Sequence, residues 1–124
     1  MAEENKATPI QRRRYYRLRY PEGEGPFISI DRNQYRVFEI SEGGARVFVP
    51  DTSIFSVGDE FEGFILFNDS EKEYSGSSRE TVKARVLRIH EGVIVLKFHT
   101  DEGVSLQRMM HEQITVRKNH PHLF

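Results

Sequence analysis

Apolar and polar positions alternate over most of this 124-residue chain, and a period of two marks strands that wet one face and bury the other. After a break at Gly23, Gly25 and Pro26, residues Phe27, Ile28 and Ile30 begin a run of short segments rich in β-branched and aromatic residues. The stretches Tyr35 to Ile40 and Ala45 to Val49 flank Ser41-Glu42-Gly43-Gly44. They read as a hairpin whose glycines are expected to take positive φ in a tight turn. Val57-Gly58-Asp59 marks a further turn before FEGFILF at 61–67, and the stretch from Asn68 to about Ser78 has the composition of a polar connecting loop. Val82, Ala84 and Val86 alternate with Lys83 and Arg85, while Leu87 and Ile89 fall out of phase. That slip predicts a bulge near Leu87. VIVLKF at 93–98 is apolar on both faces until Lys97 and belongs in the middle of a sheet.

Near the C-terminus the period changes. Leu106, Met109, Met110 and Ile114 lie three or four apart, which predicts one apolar stripe on a helix capped by Thr100 or Asp101. The fold class expected is mainly β: a six- to seven-stranded antiparallel barrel, closed or nearly closed because open strand edges are costly, with the C-terminal helix covering part of it. The expected organisation is a flexible N-terminal tail over 1–10, one domain over 11–116 and a C-terminal tail over 117–124.

Charge sharpens this picture. The net charge is only -1, yet QRRRYYRLRY at 11–20 holds Arg12, Arg13, Arg14, Arg17 and Arg19. Residues 1–20 carry six cations against two carboxylates, a balance of +4, while the rest of the chain carries 12 against 17. A protein that reads long nucleic acids spreads its cations to meet many phosphates, whereas one dense cluster suits a small anion. Tyr15, Tyr16 and Tyr20 have faces that stack on bases, but on a strand at a barrel mouth packing against the core is the reading favoured here.

With both the arginines and the hairpin in view, the chain resembles a PilZ domain, the bacterial receptor module for cyclic di-GMP. Arg13 and Arg17 supply the RxxxR motif of that family, preceded by Arg12, and EISEGG at 39–44 supplies Glu39-x-Ser41-x-x-Gly44 for its second motif. The VGD turn, the VIVLKF strand and the closing helix extend the resemblance from about Gln11 to Val116. The departure is Glu39, where the family usually has Asp or Asn; its extra methylene moves the acceptor by about 1.5 Å.

The resemblance implies cyclic di-GMP as ligand, with Arg12, Arg13, Arg17, Glu39, Ser41 and Gly44 as its binding residues. The chemistry fits those residue types. A guanidinium fork meets a phosphate or the O6 and N7 edge of guanine with paired hydrogen bonds, and its flat face stacks on the base. Glu39 can accept from guanine N1 and N2, Ser41 can donate or accept, and Gly44 leaves room for a base. In the family an arginine directly before RxxxR goes with an intercalated pair of ligands, so Arg12 implies two cyclic di-GMP molecules per chain. The arginine-rich arm, Met1 to about Arg19, is expected to be mobile before binding and ordered by the ligand, making a surface for a downstream protein partner.

Other classes are set aside on composition. There is no cysteine, which removes disulfide, thiolate and cysteine-zinc chemistry. His90, His99 and His111 are scattered, and His120 and His122 fall in an NHPHLF tail expected to be disordered, so no metal and no cofactor is expected. No nucleophile stands beside a base in sequence, so no catalytic residue is assigned and a binding module, not an enzyme, is expected. No segment has the roughly 20 apolar residues of a membrane span, and MAEENKATPI at 1–10 lacks the apolar core of a signal peptide. A cytoplasmic monomer is expected. Two rivals remain: a PilZ-type adaptor that binds protein but no nucleotide, and a small barrel for single-stranded nucleic acid, against which the acidic balance of residues 21–124 argues.

Overall fold

A computed structural model describes residues 17–68 and 78–121 of the chain. Among the described residues seven strands run in chain order: β1 Arg17–Arg19, β2 Phe27–Ile30, β3 Asn33–Ser41, β4 Gly44–Phe48, β5 Glu60–Leu66, β6 Arg79–His90 and β7 Val93–Phe98. Helix α1, Leu106–Asn119, follows them. All pairings are antiparallel, in the order β1-β3-β2-β5-β6-β7-β4, and β4 pairs again with β3. That last ladder closes six strands into a barrel and leaves β1 as an added strand on β3, as the expected fold class requires. Between β4 and β5, Asp51 caps a single 3₁₀ turn at Thr52–Ile54. The Ser53 hydroxyl and amide both donate to its carboxylate and hold that group below its ordinary pKa.

Period-two alternation fills the interior. Ile28, Val37, Val47, Ile65, Val82, Ala84 and Ile94 have no exposed surface, and β7 lies between β4 and β6 as its apolar sequence predicts. Two bulges interrupt the alternation. The β6–β7 register shifts between Val86 and Arg88, where the out-of-phase pattern places it. A second shift, between Val37 and Glu39 on β3, has no such signature, because Phe38 and Glu39 are both compatible with an outer face.

The helix corrects its expected face. Arg108, Met109, Glu112 and Val116 are buried, whereas Leu106, Met110 and Ile114 are 46–64% exposed. The buried stripe is half polar because its polar groups answer one another. Arg108 Nη1 lies 3.4 Å from Glu112 Oε2, the Tyr20 hydroxyl donates to Glu112 Oε1 at 2.6 Å, and the Arg108 guanidinium sits over the Phe67 ring at 4.0 Å. Tyr20 is thereby a packing residue, as favoured from sequence; Tyr15 and Tyr16 lie outside the described residues.

The N-cap is Ser105, not Thr100 or Asp101: its hydroxyl accepts from the Arg108 amide at 3.1 Å. Glu80 on β6 accepts from the Ser105 amide at 3.1 Å, so the cap is fastened to the barrel. Ser105→Ala is expected to cost about 1 kcal/mol, read by urea denaturation. At the other end α1 passes Val116 to reach Asn119, and His120 closes it through a 2.8 Å bond from its amide to Val116 O. His120 Nε2 also meets Glu24 Oε1 at 2.8 Å.

Candidate functional site

The outer faces of five strands form one surface on which the described motif residues meet. Leu18 of β1 is buried at 2% exposure, which fixes Arg17 and Arg19 outward. Arg17 pairs in register with Ser41 and Arg19 with Glu39. The expectation of a mobile arm reaching Arg19 is therefore corrected: Leu18 in the core and the β1–β3 ladder hold its last three residues as a strand. Arg12 and Arg13 lie outside the described residues.

The ladders extend this into a row. Arg19 pairs with Glu39, Glu39 with Arg46 on β4, Arg46 with Val95 on β7, and Val95 with Arg88 on β6. At about 4.8 Å per strand the row spans roughly 19 Å. Arg17, Ser41, Gly44 and Lys97 flank it on one side. Between them is an open cleft of about 220 Å³, lined by Arg17, Glu39, Ser41, Arg46, Arg88 and Lys97 among others. Four cations thus face one carboxylate. Arg46 Nε approaches Glu39 Oε2 at 3.7 Å, an ion pair longer than a hydrogen bond, which leaves the carboxylate able to accept from a ligand. Arg19 lies 5.8 Å from the centre of the Phe38 ring, which stacks on Phe48 at 4.3 Å.

The hairpin wall is built differently from the expectation. Neither Gly43 nor Gly44 has positive φ. The turn is held by Ser41, whose hydroxyl accepts from the Gly43 amide at 3.2 Å and lies 3.5 Å from Gly44 O as a donor. Glycine is required at 44 by packing: a Cβ there would come within 2.3 Å of Leu96 O on β7. The motif glycine thus lets two backbones approach.

Arg46, Arg88 and Lys97 enter the cleft without having been singled out from sequence. Arg46 was legible, since Gly44, Arg46 and Phe48 share the outer face of β4 by simple alternation. Arg88 was legible once the bulge was placed, because the extra residue puts Leu87 and Arg88 on the same side.

A model of the PilZ domain matches residues 11–114, most of the chain. The chain belongs to the PilZ domain family. Solved structures share the fold. The PilZ domain of YcgR from Escherichia coli, a structure with c-di-GMP, aligns at 14% identity with a TM-score of 0.64, over 91% of this chain and 98% of that one. The Legionella uncharacterized protein Lpg0364 aligns at 22% identity and a TM-score of 0.55, over 86% and 98%. The Bacillus subtilis inhibitor of motility MotI/DgrA aligns at 22% and 0.60, over 94% of this PilZ chain and 58% of its own length. At such identities the likeness is one of fold. No curated protein matches the chain. Among the described residues no helix is long and apolar enough to cross a membrane, and no group of metal-ligating side chains converges.

Proposed function

We propose that this PilZ protein is a cyclic di-GMP receptor, binding the dinucleotide across the outer face of β1, β3 and β4 and passing the event to a protein partner. The observation that carries this reading is the register of β1 with β3, which sets Arg17 of the first motif beside Glu39 and Ser41 of the second. The cleft between them is smaller than the roughly 300–1,000 Å³ of sites that enclose a whole ligand. A dinucleotide would lie over it and need a further wall, and Arg12 and Arg13, a few residues ahead of Arg17, are the groups proposed to supply it.

The division of labour follows from charge. Arg17 and Arg13 meet phosphate or the guanine O6 and N7 edge with forked hydrogen bonds. Glu39 accepts from guanine N1 and N2, and Ser41 completes the rim. Ligand phosphates neutralise a cluster whose charges repel one another, so Arg12 and Arg13 are drawn onto the cleft from the fixed point at β1, and the surface they form is what a partner reads. No covalent step is involved.

Isothermal titration with cyclic di-GMP tests this. The expected isotherm saturates at two ligands per chain, and Arg13→Ala weakens it. A clean one-to-one endpoint at saturation would reject the paired ligands while leaving the receptor. No heat and no thermal shift, together with tight binding to a protein, would replace the receptor by an adaptor. Binding of single-stranded oligonucleotides with steep salt dependence would replace it by the nucleic-acid reading.

A further inference from the structure

Two members of the charged row, Glu39 and Arg88, are turned outward by bulges. On β3, strict alternation from Val37 would turn Glu39 into the barrel; the register shift there leaves Phe38 and Glu39 both outside and returns Ile40, 1% exposed, to the core. On β6, strict alternation from Val86 would bury Arg88. The shift after Val86 instead leaves Leu87 and Arg88 both exposed and returns Ile89 to pack against the core. Bulges beside functional sites commonly re-aim a side chain at the expense of ladder hydrogen bonds. The first delivers the acceptor of the second motif. The second delivers a guanidinium that belongs to neither motif.

From this symmetry we infer that Arg88 is a further ligand-binding residue, which extends the dinucleotide site across β7 to β6 with Leu87 and Val95 as its apolar floor. The inference rests on the cyclic di-GMP reading and adds to it. Three observations support it. Arg88 and Leu87 line the same cleft as Arg17, Glu39 and Ser41. Among the described residues no carboxylate pairs with Arg88, whereas Arg46, its neighbour along the row, is engaged by Glu39. Val95 stands between them in register and is 8% exposed, so the row offers a cation, an apolar patch and a second cation in sequence. That order suits a flat base resting on the patch with an anionic group at its edge. It also gives the side of the cleft away from β1 a role in holding the ligand.

Affinity for cyclic di-GMP, measured by titration calorimetry on the full chain, tests the assignment. Arg88→Ala is expected to weaken binding about 10-fold or more with no change in melting temperature. Lys83→Ala removes a cation from the same strand and the same outer face, but outside the cleft, and is expected to change affinity by less than about 2-fold. Arg88→Lys keeps the charge and loses the fork, and is expected to fall between wild type and Arg88→Ala. Wild-type affinity in Arg88→Ala, or an equal loss in Lys83→Ala, would overturn the assignment while the receptor stands. No binding by the unmodified protein would overturn the receptor and this assignment together.

Discussion

Replacing Glu112 with alanine is expected to lower the unfolding free energy by about 3–5 kcal/mol, or about 10–20 °C in melting temperature. Arg108 has no exposed surface, and a guanidinium does not shed its proton when a carboxylate partner such as Glu112 is removed. The Phe67 ring at 4.0 Å offsets a fraction of the cost. Tyr20 loses its 2.6 Å acceptor in the same step. A polar cluster of this kind is held together by its own members more than it stabilises the fold. The triple replacement Tyr20→Phe, Arg108→Met and Glu112→Leu is therefore expected to recover most of what Glu112→Ala loses. Urea denaturation of the two variants decides the matter. A loss below about 1 kcal/mol in Glu112→Ala would mean that the other partners of the cation, or water, carry it without this carboxylate.

Arg17→Ala is expected to weaken cyclic di-GMP binding by about 10- to 150-fold, the equivalent of about 1.5–3 kcal/mol of charge-assisted hydrogen bonding. Stability should stay within about 0.5 kcal/mol, because the side chain is exposed and strand pairing is a backbone matter. Arg13→Ala should fall in the same range. The double variant should lose less than the sum if both forks hold one phosphate, and close to the sum if they hold separate groups. Unchanged affinity in both single variants would remove the arginine clasp from the proposed mechanism.

The barrel was legible in this sequence because its strands alternate cleanly and its turns carry their own chemistry. The bulge at Leu87 announced itself as a phase slip in an otherwise regular strand. The bulge at Phe38 did not, since a phenylalanine and a glutamate in succession on an outer face break no hydrophobic pattern. The helix was placed correctly and turned the wrong way. Periodicity ranks Leu106, Met110 and Ile114 as core, whereas the tertiary structure buries Arg108 and Glu112, whose partners Tyr20 and Phe67 lie just past the ends of β1 and β5, where a one-dimensional pattern cannot bring them near. The second motif falls on the β3–β4 hairpin, and its glycine is demanded by the Leu96 carbonyl on β7, a contact with no local signature.

The three-residue pairing of β1 with β3 has a consequence for how the protein answers its ligand. Side chains on a strand alternate, so a slide of β1 by one position along β3 would push both guanidiniums into the barrel wall and leave Leu18 in water. A slide by two, about 7 Å, would restore the facing but carry Arg17 past Ser41. No intermediate setting exists. Strand β1 is notched rather than sprung, so it should keep its register when the cleft is occupied and not creep along β3 with the strength of the grip.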